Sequence, residues 1–275
     1  MAEGILKEQE VDCLPIDPKA VAESFGITVI EKPGMSEGVS GALIKVDNQF
    51  VIAYATHIRS EGFRRFSIGH ELGHYLLEGH AEALLPTGQR MHQSRAGYRS
   101  GDQYEREADY FSARLLMPNP MFKQAMRSVD DGLDAIELLA SRCKTSLLAT
   151  ANRYIEEAEI PMAMVVSSGQ SIDYAFLSDE LKEFRDITWP KKGSSIPVVP
   201  TAVFNRDDAN IRNAKREDKE SDLRDWFGGR VSVTLTEEII GLGGYGMTLT
   251  ILSTKTFADE DDEDGYLEDA WTPTL

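Results

Sequence analysis

The sequence predicts an α+β protein in two parts: a first domain with a small sheet and metal-binding helices, and a second, C-terminal α+β domain. Three observations predict this arrangement. His70 and His74 lie in a helical pattern, two strand-like segments precede them, and further strand-like segments follow Ile160-Pro161. With 275 residues, 41% of them hydrophobic, the chain can build one large core or two smaller ones.

The segment ahead of the histidines predicts a helix, a strand and a hairpin. Residues 17–25 read as a short helix because Pro18 suits a first helical turn, and Gly26 ends it. Residues 27–30 read as a strand, and residues 42–54 as two strands (42–45 and 50–54) joined by a turn. A strand beside a metal-binding helix can pair with an extended peptide, so the hairpin is a candidate for that role. A sheet that only supports the helix is an equally good interpretation.

Residues 63–77 predict the helix with the most informative pattern of the chain, HELGH at residues 70–74. Positions four apart share a helix face, so the two imidazoles can bind one divalent ion, and Glu71 can handle the proton of a water. At about 100° per residue, Ile68 and Leu72 fall on the side opposite the histidines. The alternative is an ordinary helix with two solvated histidines, although the chain has only five histidines.

A catalytic zinc ion takes three protein ligands, so a third ligand is needed. His80 has the spacing of the pattern HExxHxxGxxH, but a leucine replaces its glycine, so we expect the helix to run on and His80 to point elsewhere. The helix predicted at 104–117 offers Glu105, with Asp109 one turn later to orient a ligand histidine. Glu107 lies roughly 160° from Glu105 on this helix and is the fallback ligand. A solvated acidic face is the alternative.

Residues 79–102 lack periodicity, which predicts a long loop between the two ligand-bearing helices. Such loops are often functional. His92, Tyr98 and Tyr104 are candidates for stabilising a developing oxyanion, and nothing in the sequence selects one of them.

Beyond Pro118 the apolar pattern predicts three helices, at 119–126, 133–142 and 146–157. The last two form a helix-turn-helix-like unit at 131–158. Its second helix carries Arg153 but also two glutamates, and a helix that reads DNA would have more basic and amide residues. We therefore interpret the unit as part of the packing of the first domain, which we expect to span residues 1–159.

Residues 160–256 predict a C-terminal α+β domain for sensing or recognition. Strands are expected at 162–167, 171–177, 196–204, 230–235 and 247–253, and a helix at 178–185. The charged residues 207–225 predict an exposed helix or loop. The glycine-rich residues 241–246 read as a turn because no Lys-Ser/Thr follows them. Eight acidic residues and no basic ones follow Lys255, which predicts a disordered acidic tail at 257–275.

Composition excludes several classes of protein. The net charge of −17 disfavours direct nucleic-acid binding, because phosphates must be met by lysine and arginine. The sequence contains no run of 18 apolar residues, so we expect no membrane span. The charged N-terminus does not resemble a secretory signal. Two cysteines are too few for a disulfide framework. These observations together predict a cytoplasmic protein.

Three blocks of sequence together resemble the ImmA/IrrE family of metallo-endopeptidases. Residues 40–53 look like the family's pair of strands, and residues 64–74, RRFSIGHELGH, look like its RRFTLAHELGH block. Residues 105–118 are similar to its E-x-x-A-x-x-F-x-A-x-LLMP block. Asp109 stands where the family more often has asparagine. The region after Ile160 matches nothing in the family.

The resemblance implies a zincin-like metallopeptidase domain with one Zn²⁺ ion. His70, His74 and Glu105 would be its ligands, Glu71 the catalytic base, and Asp109 a partner of a ligand histidine. It also implies an endopeptidase that uses zinc-activated water to cleave a regulatory protein. A helix-turn-helix transcriptional regulator or an antitoxin is the expected substrate, in a stress response or a toxin–antitoxin pair.

Two other functions stay open. The protein could be a non-proteolytic, zinc-dependent regulator, although a purely structural site would not need Glu71. It could also be the toxin component of a toxin–antitoxin pair, with the C-terminal domain carrying the toxic activity.

Overall fold

The computed structural model describes residues 1–36, 38–95 and 102–258. These residues form two compact units, one of residues 1–129 and 137–150, the other of residues 130–136 and the chain from residue 151 onwards. The domain boundary placed after residue 159 stays a prediction. Tyr98 and residues 259–275 of the expected acidic tail lie outside the described residues. No helix of the described part of the chain is long and apolar enough to cross a membrane.

The first unit contains a four-stranded sheet in the order β1-β3-β2-β4. Its strands are β1 Thr28–Lys32, β2 Val39–Val46, β3 Gln49–Ala55 and β4 Met91–Arg95. Strands β2 and β3 form the predicted hairpin, closed by a two-residue turn in which Asp47 has a φ of 53°. Strand β1 pairs with β3 in parallel, and β4 pairs with β2 antiparallel. Both hairpin strands are therefore interior, which rules them out as edges for an added peptide strand; β1 and β4 are the edges.

The helices of the first unit are α1 Ala2–Glu8, α2 Pro18–Ser24, α3 Glu61–Leu76, α4 His80–Leu84, α5 Gln103–Leu116 and α6 Asn119–Met126. Two further helices, α7 Leu133–Cys143 and α8 Leu147–Glu156, each have residues in both units. The predicted helices at 17–25, 63–77, 104–117 and 119–126 are all present. Asp17 caps α2, and Pro18 occupies its first turn as expected. The two helices of the unit predicted at 131–158 are present as α7 and α8.

The core of the first unit lies where α3 and α5 meet the sheet. Ile68 and Leu72 of α3 belong to the same buried cluster as Leu43 of β2, Ile52 of β3 and Leu115 of α5. Burying each such side chain contributes about 1.5–3 kcal/mol to folding. The apolar stripe of α3 is thus fixed in the core, as its periodicity predicts, and this fixes the rotation of the helix about its axis.

The predicted long loop at 79–102 is wrong in part, because it contains α4 and β4. Helix α3 ends at Leu76, and Gly79 turns the chain with a φ of 78° before α4 begins. Strand β4 escapes sequence analysis because its five residues, MHQSR, show no apolar alternation. Its pairing with β2 comes from tertiary structure, not from a local pattern.

The second unit contains a five-stranded antiparallel sheet in the order β6-β5-β9-β8-β7. Its strands are β5 Met162–Ser168, β6 Ser171–Leu177, β7 Arg216–Asp222, β8 Thr234–Gly241 and β9 Thr248–Ser253. Its short helices are α9 Asp179–Lys182, α10 Pro200–Phe204, α11 Asp208–Arg212 and α12 Leu223–Phe227. The glycine-rich residues 241–246 form the turn between β8 and β9, as predicted.

Three predictions for this unit are wrong. Residues 196–204 are not a strand: Pro200 begins α10, where its fixed φ suits the first helical turn. Residues 207–225 are not simply an exposed helix or loop, because they contain the edge strand β7. The strand predicted at 230–235 begins only at Thr234 and runs to Gly241. In this strand the acidic Glu237 is fully buried, and Thr201 and Trp226 donate hydrogen bonds that satisfy its carboxylate.

Candidate metal centre

Helix α3 places the two histidines of HELGH one above the other. The Ser60 hydroxyl caps the helix by accepting a hydrogen bond from the Phe63 N–H at 3.3 Å. His70 and His74 follow one turn apart, both buried, and their Nε2 atoms lie 2.9 Å from each other. Two imidazole nitrogens at this distance need a proton or a metal ion between them, because their lone pairs otherwise repel.

Helix α5 approaches α3 closely because two glycines of α3 lie at the contact. A Cβ atom on Gly69 would lie 2.6 Å from the Ser112 Oγ, and one on Gly73 would lie 3.2 Å from the Ala108 Cα. The Ser112 hydroxyl donates a hydrogen bond to the Phe66 carbonyl at 2.8 Å and so ties the helices together. This close packing brings carboxylates of α5 within reach of the histidines of α3.

Glu105 of α5 reaches both histidines. Its Oε2 lies 3.3 Å from the His70 Nε2, and its Oε1 lies 3.4 Å from the His74 Nε2. A tetrahedral zinc ion with bonds of ~2.0–2.2 Å keeps its ligand atoms ~3.3–3.5 Å apart. The two separations between carboxylate and imidazole match this range, and the 2.9 Å between the two Nε2 atoms is shorter. Among the described residues, His70, His74 and Glu105 are the group of three whose ligand atoms could hold a metal ion. The donor set of two imidazoles and one carboxylate is that of catalytic zinc.

Asp109 of α5 lies behind His70. Its Oδ1 accepts a hydrogen bond from the His70 Nδ1 at 2.8 Å, which leaves Nε2 free to face Glu105 and His74. Burial disfavours the charged form of His70, but the hydrogen bonds to Asp109 and Glu105 outweigh it and raise the pKa of His70 to about 10. Without metal, His70 is therefore protonated at neutral pH.

The pKa values of the two other ligand candidates, His74 and Glu105, are lowered in the metal-free site. Burial lowers the pKa of His74 to about 4, and the positive charge of His70 adds to this effect. Burial alone would raise the pKa of Glu105, but hydrogen bonds with His70, His74 and His92 hold it well below its usual range. A protonated His70 and an ionised Glu105 thus neutralise each other where a cation would bind.

Glu71 lies beside this group and is completely buried. Neither of its carboxylate oxygens makes a hydrogen bond of normal geometry with a described residue, although the Ser94 hydroxyl lies near enough to lower the pKa of Glu71 slightly. Burial raises the pKa of Glu71 to about 7. Gly41 of β2 lies directly against the carboxylate, because a Cβ on Gly41 would be 2.7 Å from the Glu71 Oε1. A glycine inside an apolar strand is a sequence signal for such close approach, and sequence reasoning missed it here.

His80 and Glu107 form a separate pair behind His74. His80 is completely buried; its Nδ1 lies 3.2 Å from the His74 Nδ1, and its Nε2 lies 2.9 Å from the Glu107 Oε2. Helix α3 does not run on past Leu76, so the expected reason for excluding His80 is wrong, although His80 does stay out of the group of three. Glu107, the fallback ligand, faces His80 rather than the metal group.

Of the three oxyanion candidates, His92 lies in the site. Its Nε2 is 3.0 Å from the Glu105 Oε1, and its ring packs edge-on against His74 with the centroids 5.0 Å apart. Strand β4 carries it there. Tyr104 packs against the His80 ring instead, with the centroids 4.9 Å apart. Tyr98 lies outside the described residues.

Comparison with known proteins gives three findings. The peptidase M78 family model, described as the IrrE N-terminal-like domain, matches residues 22–154, which include every residue of the metal group. A solved structure described as a Mycobacterium tuberculosis transcriptional regulator is similar with a TM-score of 0.60 over 92% of this chain and 74% of that one. Its sequence identity is 16%, so this likeness shows the fold alone.

A weaker similarity links the chain to the large tegument protein deneddylase of Murid herpesvirus 4, at 29% identity over 91 residues. The match covers 33% of this chain and 4% of that protein, so the chain spans a small part of that relative. The family match and the convergence of His70, His74 and Glu105 agree on a metallopeptidase, whose chemistry implies a metal ion. The match over residues 22–154 thus supports an ImmA/IrrE family metallopeptidase.

Proposed function

We propose that the protein is a zinc-dependent endopeptidase that cleaves a regulatory protein, with Glu71 as the general base. One observation carries the proposal: the Glu71 carboxylate is fully buried, makes no hydrogen bond of normal geometry with a described residue, and lies next to His70 of the metal group. Burying a carboxylate without partners costs several kcal/mol, so a structural site would not retain it. A site that must move a proton has a use for it.

In this proposal His70, His74 and Glu105 hold the ion, and Asp109 keeps His70 oriented through its Nδ1. Bound zinc supplies Lewis acidity, which polarises a peptide carbonyl and lowers the pKa of a water towards ~7. Glu71 accepts the proton of the attacking water and returns it to the leaving amine. Its pKa of about 7 suits both transfers near neutral pH.

The peptide substrate would bind along β4. This strand is an edge of the sheet, so its outer backbone groups can pair with an extended peptide. It also carries His92 into the site, where the Nε2 lies 3.0 Å from Glu105. Because an imidazole N–H can donate to a developing oxyanion, His92 is the oxyanion stabiliser we propose.

The proposed substrate is a DNA-binding regulator or an antitoxin, ideally one with a basic surface. The chain carries a net charge of −17, with 46 acidic and 29 basic residues. Opposite charges on enzyme and substrate accelerate encounter, so a basic substrate is favoured. A role in a stress response or a toxin–antitoxin pair belongs to the same proposal.

The test is the Glu71→Gln variant, which keeps the shape of the side chain and removes the base. Wild type and variant are loaded with zinc and incubated with an unbiased peptide library, and new N-termini are counted by mass spectrometry. Glu8→Gln, at an exposed glutamate of α1, is the matched control. We expect wild type and Glu8→Gln to cleave and Glu71→Gln to lose at least about 100-fold in rate with its zinc content unchanged.

Two outcomes would contradict the proposal. Cleavage by Glu71→Gln at the wild-type rate would show that Glu71 takes no part in the reaction. Stoichiometric zinc without any cleavage by the wild type, over the library and over candidate regulators, would favour a non-proteolytic zinc-dependent regulator.

A further inference from the structure

His80 is a buried histidine that the proposed peptide hydrolysis does not use. It begins α4, where the positive φ of Gly79 turns the chain back towards α3. It is completely buried, yet both of its ring nitrogens have polar neighbours, the His74 Nδ1 at 3.2 Å and the Glu107 Oε2 at 2.9 Å. A buried polar ring with both nitrogens engaged is held in one orientation.

The direction of these hydrogen bonds follows from the metal group. When His74 binds a metal through Nε2, the neutral ring carries its one proton on Nδ1, which must then donate. The atom facing it is the His80 Nδ1, which must accept and so carries no proton. The proton of His80 is then on Nε2, and it points at the Glu107 Oε2, which can only accept. One tautomer of each ring satisfies all the hydrogen bonds from His74 through His80 to Glu107.

We propose that His80 and Glu107 form a relay that holds His74 as a metal ligand through Nε2. His74 donates to His80, and His80 donates to Glu107. The side-chain amide of Gln103 donates to the other oxygen of Glu107 at 2.6 Å and fixes the end of the relay. The two ligand histidines are thus supported differently, since His70 has its carboxylate, Asp109, in direct contact.

The relay also connects the metal ligand to the surface. The Glu107 side chain is 46% exposed and lines an open cleft of about 660 Å³ between α1 and α5. His80 therefore spans the distance between a fully buried ligand and a solvent-accessible carboxylate. Its replacement by an apolar residue would leave the His74 Nδ1–H without an acceptor in the core.

The inference rests on the metal ligands of the proposed function and not on peptide hydrolysis. Its first test measures zinc affinity of the full-length chain by competition with a chromophoric chelator. We expect His80→Leu to weaken zinc binding roughly 10–100-fold, the usual effect of losing the partner of a ligand histidine. We expect His80→Gln to stay within about threefold of wild type, because an amide accepts through oxygen and donates through nitrogen. His57→Leu, at an exposed histidine outside the site, is the control.

The second test reads the tautomers directly. Long-range ¹H–¹⁵N spectra of the zinc-loaded chain resolve its five histidine rings. We expect the His80 proton on Nε2 and the His74 proton on Nδ1, in slow exchange with water. A His80 proton on Nδ1, or wild-type zinc affinity in folded His80→Leu, would overturn the relay.

The outcomes separate the two proposals. If His80→Leu does not fold, the tautomers of the wild type and the affinity of His80→Gln still decide. Loss of zinc affinity in His80→Gln equal to that in folded His80→Leu overturns the relay as a hydrogen-bonded device. If zinc binds with the expected tautomers but no peptide is cleaved, the proposed peptidase activity is refuted and the proposed relay is supported. If the wild type binds no zinc, both proposals are refuted.

Discussion

The contact between Gly41 and Glu71 yields a sharp prediction about the proposed base. A Cβ atom at position 41 would lie 2.7 Å from the Glu71 Oε1, 3.1 Å from its Cγ and 3.3 Å from its Cδ. Non-bonded heavy atoms favour separations of about 3.5–4.0 Å, so Gly41→Ala must push the carboxylate away by about 0.5–1 Å. The backbone of β2 is paired on both sides with β3 and β4, so the side chain, not the strand, is expected to move.

This displacement should lower the catalytic rate. A misplacement of about 1 Å in a catalytic group can cost about 100-fold in rate, or about 2.7 kcal/mol in the activation barrier. Glu71 is not a metal ligand in the proposed site, so zinc affinity should stay within about threefold. Replacing a strand glycine by alanine reduces the entropy of the unfolded chain by about 0.5–1 kcal/mol, which offsets part of the steric cost.

The assay measures kcat/KM on a peptide that the wild type cleaves, and zinc content and urea unfolding are measured on the same samples. Gly4→Ala is the matched control, because Gly4 has nothing within 4 Å of an added Cβ. We expect a loss of about 100-fold for Gly41→Ala alone. Unchanged kcat/KM in a zinc-loaded Gly41→Ala variant would refute the reasoning that this contact sets the position of the base.

Three further predictions follow from the same contacts. Zinc must displace the proton of His70, whose metal-free pKa is raised to about 10, so zinc affinity should rise about tenfold per pH unit between pH ~6 and ~9; a flat competition titration would contradict this. Gly69→Val should weaken zinc binding at least about tenfold, measured the same way, because its side chain would displace Ser112 and α5. Glu237→Leu should cost about 3 kcal/mol in urea unfolding of the second unit and leave zinc affinity unchanged, because Thr201 and Trp226 lose a buried acceptor.

The parts of the site on long periodic helices could be predicted from sequence. Helices α3 and α5 have 16 and 14 residues, long enough for their apolar stripes to fix which residues share a face. The stripe of α3 places His70 and His74 together, and a spacing of four on α5 places Asp109 one turn after Glu105. The structure brings all four together, so the geometry of these positions was already present in the sequence.

The parts that could not be predicted depend on contacts distant in sequence. Strand β7 has the sequence REDKESD, in which no apolar alternation exists, because this edge strand pairs with β8 alone and its residues are partly or fully exposed. His80 lies only six residues from His74, yet its position depends on the turn at Gly79, and its partner Glu107 comes from another helix. Local patterns carry no information on such pairings.

Strand β4 shows why this limit matters for function. Its register with β2 places His92 opposite Leu43 and Ser94 opposite Gly41, the residue that lies against Glu71. One short edge strand thus adjoins both the metal group and the position of the proposed base. A peptide that paired with the outer edge of β4 would run past both, so binding and chemistry would be aligned by a single strand. The hairpin identified from sequence cannot do this, because β2 and β3 have no free edge.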